Sequence, residues 1–238
     1  MVMRLTLIFS RSHWLAFIAV VVLGATESPA KDAALHYLTN TWPEGQSLLA
    51  PPPLPGSAEQ AADLDEVRAV YHRAGSNDIA AAYAEKKFSV FNFTPEVGPF
   101  FQSNSLPRTT VFFYQVQSDA ALVADEEKDY FIRPRPYTVD TNLANGKLEK
   151  SFGFPSGHST ESMVLALVLS DLVPDKRDAL LAHARMIGWH RVQIARHYPT
   201  DIYAGRVLAQ AIVRALKQSP AFNRDFQAVR QELNAAMN

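Results

Sequence analysis

Residues 155–173 read PSGHSTESMVLALVLSDLV, and the architecture follows from them. From Ser159 to Val173 the sequence is strongly apolar, and Pro174 ends this run, which predicts a helix. Its most apolar part, Met163 to Val173, covers only about eleven residues and is too short to span a membrane. The sequence therefore predicts a buried core helix at 160–172, with the other helices packed around it.

Further helices are predicted on both sides of this core helix. Ser57 has the side chain of an N-cap and precedes a helix through about Arg73. A second helix begins at Ser76 or Asn77 and runs to about Lys87. The other predicted helices lie at about 108–128, 175–197, 201–217 and 221–237. No convincing strand pattern is present, so the sequence predicts an all-α, single-domain helical bundle.

The bulk composition excludes several classes of function. The chain has 238 residues, 47% of them hydrophobic, which is enough to bury a sizeable core. Its formal net charge of −1 favours neither nucleic acid nor an acidic membrane surface as a partner. It has no cysteine, which excludes disulfides, thiolate nucleophiles and cysteine-ligated zinc.

The N-terminus resembles a secretory signal. Arg4 and Arg11 precede an apolar run from Trp14 to Gly24, and Ser28-Pro29-Ala30 offers a cleavage site. This predicts a signal peptide at 1–30, cleaved after Ala30, and a periplasmic or secreted protein. An uncleaved anchor is the alternative interpretation. Residues 31–57 are predicted to form a proline-rich arm, and residues 58–238 the helical domain.

The segment directly before the core helix has the features of an anion site. Gly157 has no Cβ and lets the backbone approach a ligand closely, while Ser156 offers a hydroxyl donor. Free N–H groups at a helix N-terminus bind anions. Taken alone, Ser156-Gly157-His158 fits an ordinary turn equally well.

Three cations lie upstream in a short stretch. Lys128, Arg133 and Arg135 fall close together, with Pro134 and Pro136 interleaved. A charged loop is usually solvated surface, but the prolines stiffen this backbone and fix the side-chain directions. Arginine offers a fork that matches phosphate oxygens, and lysine adds a point charge. The stretch therefore suits the binding of an oxyanion.

The third block contains Arg191, His197 and Asp201. The last two are four residues apart, so one helical turn could bring them together. A carboxylate on one ring nitrogen fixes the tautomer and leaves the other nitrogen free to attack. Such a pair on its own is more often structural.

Together the three blocks resemble a family signature. Lys128-x6-Arg135-Pro136, Pro155-Ser156-Gly157-His158 and Arg191-x5-His197-x3-Asp201 are similar to the pattern of the phosphatidic acid phosphatase type 2 and vanadium haloperoxidase superfamily. The signal sequence, the length and the segment 48–63 most resemble the bacterial class A non-specific acid phosphatases. The chain departs from the pattern at His190, where the family usually has serine, and we expect this histidine to support Arg191 without doing chemistry.

The resemblance implies a role for each residue. His197 would attack phosphorus and form a phosphohistidine, Asp201 would hold its tautomer, and His158 would protonate the leaving alcohol and later activate water. The phosphate oxygens would be bound by Lys128, Arg135, Ser156, Gly157 and Arg191. Neither a metal nor a cofactor is implied. Beside these residues, Arg133 is interpreted as a contact at the substrate rim and Arg196 as surface.

The resemblance also implies substrates and partners. It predicts a metal-independent acid phosphatase acting on small phosphomonoesters with broad specificity, able to bind inorganic phosphate or vanadate and to transfer phosphoryl groups to alcohols. It predicts a homo-oligomer and no nucleic-acid-binding role. The alternatives are a vanadate-dependent haloperoxidase, a lipid or pyrophosphate phosphatase, and a helical phosphate-binding module without activity.

Overall fold

Seven long helices account for most of the computed structural model, which describes residues 35–38 and 43–237. They are α1 (Ala58–Arg73), α2 (Ser76–Ala84), α3 (Pro107–Phe131), α4 (Gly157–Leu172), α5 (Arg177–Gln193), α6 (Pro199–Leu216) and α7 (Pro220–Met237). Short helical turns lie at Gly45–Leu48, Val90–Phe93, Thr94–Val97, Pro136–Val139, Thr141–Leu143 and Pro174–Lys176. No strand occurs in this part of the chain, which confirms the predicted all-α class.

Helix α4 lies at the centre of the bundle, packed against α3, α5 and α6. Its residues Met163, Val164, Leu165 and Ala166 are all buried and, being consecutive, point in different directions around the helix. A helix that is apolar on all sides is stable only when it is enclosed, and each buried methionine, valine or leucine side chain contributes roughly 1.5–3 kcal/mol by burial. The predicted core helix is confirmed.

No helix in the described ranges combines the length and apolar character that a membrane crossing requires.

Two helix boundaries follow from local sequence signals. Helix α1 begins directly after Ser57, whose Oγ accepts a hydrogen bond from the N–H of Gln60 at 3.1 Å, as the predicted N-cap requires. Helix α3 ends where Ile132 adopts a left-handed conformation with φ of 44°. That conformation is costly for a β-branched residue. It turns the chain sharply, so that Arg133 and Arg135 leave the helix axis.

The helix predicted at 175–197 ends earlier in the structure, so His197 lies after the helix and not within it. Helix α5 ends at Gln193, and the chain turns through Ala195, which has φ of 53°. Pro199 then occupies the first turn of α6, where its missing N–H costs nothing. Proline also disfavours helical conformation in the residue before it, here Tyr198, so α5 and α6 do not join into one helix.

The residues that precede α1 are tied to α3. Asp119 is buried and accepts hydrogen bonds from the backbone N–H groups of residues 36–38 at 2.8–3.1 Å. Further along, the N–H of Gly45 donates to Glu127 at 2.8 Å. The predicted signal peptide at 1–30 lies outside the described residues.

Candidate active site

The structure brings all the predicted site residues into one cluster. Lys128 comes from the last turn of α3, Arg135 from the segment after it, and His158 from the first turn of α4. Arg191 lies in the last turn of α5, and Asp201 in the first turn of α6. The helix ends converge because α4 packs against α3, α5 and α6.

His197 has a defined tautomer. Its Nε2 lies 3.2 Å from Nη1 of Arg135, and its Nδ1 lies 3.2 Å from Oδ2 of Asp201. Arginine can only donate, so Nε2 must accept and the ring proton must be on Nδ1, donated to Asp201. Burial, followed by the charges of Arg135, Arg191 and Lys128, holds the pKa of His197 well below its usual value. The ring is therefore neutral and presents a lone pair on Nε2 beside Arg135.

Asp201 is held by several donors. Its carboxylate accepts from the N–H of Tyr198 at 3.0 Å and from Nη1 of Arg133 at 2.5 Å, in addition to His197. Burial raises the pKa of Asp201 to about 7, and the Arg133 charge opposes this shift. The Asp201 side chain is therefore held from three directions, in a position from which it can orient the imidazole.

Arg133 does not lie where the sequence placed it. It is buried, with Nη2 2.7 Å from Oδ2 of Asp63, and its guanidinium carbon lies 3.9 Å from the centre of the Tyr198 ring. The interpretation of Arg133 as a contact at the substrate rim is wrong. Its guanidinium joins Asp63 on α1 to Asp201 on α6, and through Asp201 it supports His197.

Three buried cations lie close to His197. Lys128 donates to Asp125 at 2.8 Å, and Arg191 donates to the carbonyl of Ala82 at 3.4 Å. Among the described residues, Nε of Arg191 is buried without a hydrogen-bond partner. Such an atom is costly unless a ligand satisfies it. We refer to Lys128, Arg135 and Arg191 together as the cation cradle.

Gly157 allows the backbone to enter this cradle. A Cβ at this position would lie 3.0 Å from Nζ of Lys128, which is closer than an ordinary contact. Ser156 before it caps α4, because its Oγ accepts from the N–H of Ser159 at 3.3 Å. The Ser156 hydroxyl proton is still able to donate to an anion at this helix N-terminus.

His158 faces the same cations. Burial, then the charges of Arg191, Lys128 and Arg135, lower its pKa to about 3. Its Nε2 is buried and has no hydrogen-bond partner in the part of the chain that the structure describes. The ring lies 5.5 Å from that of Phe88. An anion in the cradle would reverse the charge effect and raise this pKa.

His190 is hydrogen-bonded to a carboxylate at the end of α2. Its Nδ1 lies 2.7 Å from Oε2 of Glu85, which is the C-cap residue of α2. The backbone of Glu85 is also a hydrogen-bond partner of His158. The pair therefore fixes the end of α2 against both His158 and Arg191, in keeping with the expected supporting role.

Arg196 is buried, so its interpretation as a surface residue is wrong. Its guanidinium donates to the backbone carbonyls of Asn145, Lys147 and Ile194 and lies over the Tyr137 ring at 5.4 Å. Arg196 thus shapes the loop that follows Leu143. Its position inside the third block was the only sequence signal for this role.

Sequence reasoning missed two carboxylates beside the cradle, Glu149 and Glu161. Glu149 lies within ion-pair distance of Arg135 and Arg191, at 2.8 and 2.7 Å. Glu161 lies one turn after His158 and accepts from Nε2 of Gln117 at 3.0 Å. Burial raises the pKa of Glu161 to about 7, against the opposing effects of Gln117 and Lys128. Nothing in their local sequence distinguishes either one from a surface glutamate.

Replacing Glu161 with glutamine is expected to stabilise the protein at neutral pH but not at acid pH. The pKa of this carboxyl is raised from 4.5 to about 7 on folding, so its contribution to stability is full below pH 4.5 and is lost as the pH rises through 7. Glutamine cannot ionise and keeps an acceptor for Gln117. The difference in Tm between Glu161→Gln and the parent should therefore grow by a few degrees from pH 4 to pH 8.

Thermal unfolding followed by circular dichroism across this pH range measures the effect. Glu66→Gln is the matched control, because Glu66 is exposed and pairs only at long range with Arg73, at 3.7 Å. A difference in Tm for Glu161→Gln that does not change with pH would contradict the raised pKa.

Known phosphatases are similar to this chain over most of its length. The PAP2 superfamily model matches residues 110–225, which include every predicted site residue. A non-specific acid phosphatase from Salmonella typhi is 29% identical over 199 residues, covering 79% of this chain and 80% of the relative. A non-specific acid phosphatase from Providencia stuartii is 26% identical over 238 residues, covering 91% of this chain and 93% of the relative.

Among solved structures, the first transmembrane PAP2 type phosphatidylglycerolphosphate phosphatase from Bacillus subtilis matches with a TM-score of 0.48 and 18% identity, covering 73% of this chain and 89% of that chain. The match over residues 110–225 shows a PAP2 superfamily domain in that part of the chain, and the two acid phosphatases are similar to most of its length.

Proposed function

We propose that this phosphatase hydrolyses small phosphomonoesters through a phosphohistidine on His197. The observation that carries the proposal is the fixed tautomer of His197, with Nδ1 on Asp201 and the Nε2 lone pair beside Arg135. A neutral imidazole oriented by a carboxylate is an activated nucleophile. The names of the acid phosphatase relatives support the hydrolysis of phosphate esters, the overall reaction proposed here.

The cation cradle would bind the phosphoryl group and stabilise its transition state. Lys128, Arg135 and Arg191 supply positive charge, and the Ser156 hydroxyl and the N–H of Gly157 supply further donors. Phosphoryl transfer depends mainly on positioning and electrostatics, so fixed cations in a buried site are the expected main source of rate. The proposed chemistry uses neither a metal nor a cofactor.

The proposed reaction has two steps. In the first, Nε2 of His197 forms a bond to phosphorus while the ester P–O bond breaks, and the leaving oxygen takes a proton from His158. In the second, neutral His158 takes a proton from water, whose oxygen attacks phosphorus while the P–N bond breaks and returns the electron pair to His197. An alcohol in place of water would give transphosphorylation.

A groove beside His158 supports broad specificity. It has a volume of about 550 Å³ and is lined by Phe88, Phe91, Phe113 and Tyr114, with Gln117 at its edge. Phe88 lines the groove and also contacts the His158 ring, so the groove adjoins the site at Phe88. Its lining is mostly apolar, which suits alcohol groups of different shapes.

A substrate panel on the purified protein, with and without EDTA, tests the proposed function. Aryl, sugar and nucleotide phosphomonoesters are expected to be hydrolysed at similar rates with and without the chelator. Vanadate is expected to inhibit competitively, because its trigonal-bipyramidal adduct resembles the transition state. Loss of activity in EDTA with recovery on adding a metal would contradict the mechanism.

Other features of the proposed enzyme rest on the sequence alone. Periplasmic or secreted localisation depends on the signal peptide predicted at 1–30, outside the described residues. N-terminal analysis of the exported protein should find Lys31 first if the signal is cleaved after Ala30. The predicted homo-oligomer also stays a prediction.

A further inference from the structure

Glu149 places a negative charge between two cations of the cradle. Its Oε2 lies 2.8 Å from Nη1 of Arg135, and its Oε1 lies 2.7 Å from Nη2 of Arg191. Each carboxylate oxygen therefore contacts a different arginine of the cradle, and Oε2 also lies 3.9 Å from Nε of Arg196. A phosphoryl group that used the same two arginines would present two of its oxygens in the same way.

The carboxylate lies close to the proposed point of attack. Nη1 of Arg135, which contacts Glu149, is also the nitrogen 3.2 Å from Nε2 of His197. The carboxylate oxygen and the nucleophile thus share one guanidinium nitrogen. A phosphoryl oxygen bound to that nitrogen would occupy the space that Glu149 uses.

The side chain can leave without moving the backbone. The carbonyl of Glu149 accepts from the Tyr137 hydroxyl at 2.9 Å, and the backbone of Ser151 is held by Nε of Arg135 at 2.8 Å. The Glu149 side chain itself is 31% exposed, so rotation about its own bonds carries the carboxylate toward solvent. Its Oε2, although close to Arg135, lacks aligned hydrogen-bond geometry, so that contact is an ion pair alone.

We propose that Glu149 competes with phosphate for the cation cradle and so sets the affinity for substrate and product. This inference rests on the proposed function, because it takes Arg135 and Arg191 as phosphate ligands. Binding requires the carboxylate to rotate away, since two anions cannot share the same guanidinium groups without strong repulsion. After hydrolysis, its return helps to expel inorganic phosphate.

Replacing Glu149 with glutamine is the direct test. The amide keeps the shape but loses the charge, so it competes weakly for the arginines. We expect the dissociation constant of inorganic phosphate to fall about tenfold, because the cradle is then open for a larger fraction of the time. The KM for p-nitrophenyl phosphate and the inhibition constant of vanadate should fall with it.

Titration calorimetry with inorganic phosphate and steady-state inhibition by vanadate provide the measurements. Glu66→Gln, the same chemical change on an exposed face of α1, is the control and should leave both constants unchanged. Unchanged or weaker phosphate binding by folded Glu149→Gln would overturn the proposal, because it would assign Glu149 to holding the arginines in place.

Two further measurements do not depend on how Glu149→Gln folds. Glu149→Asp keeps the charge on a shorter side chain that cannot bridge both arginines, so phosphate affinity should lie between those of the parent and the glutamine variant.

A crystal structure of the parent with vanadate should show Glu149 rotated away from both arginines. A carboxylate still bridging them beside bound vanadate would overturn the competition. If the proposed function itself is wrong, the parent protein will not turn over phosphomonoesters. That result is different from a parent that is active but whose Glu149 does not compete with phosphate.

Discussion

Turnover of p-nitrophenyl phosphate by the His197→Ala variant is expected to be about 10⁴-fold or more below that of the parent. The loss is large because the proposed covalent step has no other nucleophile: Nε2 of His197 is the ring nitrogen that carries a lone pair beside Arg135. The cations remain, so vanadate should still bind. Single-turnover assays and trapping of labelled phosphoenzyme measure the step directly.

Two controls separate lost chemistry from lost structure. Circular dichroism and vanadate affinity report whether His197→Ala keeps its fold and its cradle. Added imidazole, which fits the space left by the ring, should restore part of the rate. Turnover near that of the parent, or labelled phosphoenzyme in the variant, would show that another residue attacks phosphorus.

The His158→Ala variant is expected to lose about 10²–10⁴-fold in rate, and the loss should depend on the leaving group. An alkyl alcohol needs a proton as it departs, whereas p-nitrophenolate is stable enough to leave without one. The rate on an alkyl or sugar phosphate should therefore fall far more than the rate on p-nitrophenyl phosphate. An equal loss on both substrates would contradict the assignment of His158 as the acid.

The pH dependence gives a second readout for His158. Its pKa is lowered to about 3 by burial and by the three cations, and the acid must be protonated to act, so activity falls as the pH rises through this pKa. A bound phosphoryl dianion raises the pKa. The alkaline limb of kcat should therefore lie at higher pH than the limb of kcat/KM, and His158→Ala should lose both limbs.

The elements that were predicted correctly are those that depend on residues close together in the sequence. The apolar run before Pro174 predicts the core helix, and Ser57 predicts the start of α1, because burial patterns and caps are local. Each of the three sequence blocks spans few residues, so each could be recognised from the sequence. The family resemblance then indicated that the three blocks lie together in the folded chain. The end of α5 was predicted too late in the chain, because the apolar pattern continues into the turn at Ala195.

The residues that sequence reasoning misplaced are paired across long separations. Arg133 meets Asp63, which is 70 residues away, and Glu149 meets Arg191, which is 42 residues away. No spacing rule connects such positions, and a charged side chain in a loop is usually solvated. Only the folded chain shows that these charges pair with one another.

The residues that support the site limit how far the enzyme can be shortened. Asp63 holds Arg133, the Ala82 carbonyl holds Arg191, and Glu85 holds His190, yet all three supports precede residue 110. The segment that matches the PAP2 superfamily, 110–225, therefore carries the proposed reactive groups without these three supports. Expressed alone, it would keep Asp201 beside His197 but lose the contacts that Asp63, Ala82 and Glu85 provide.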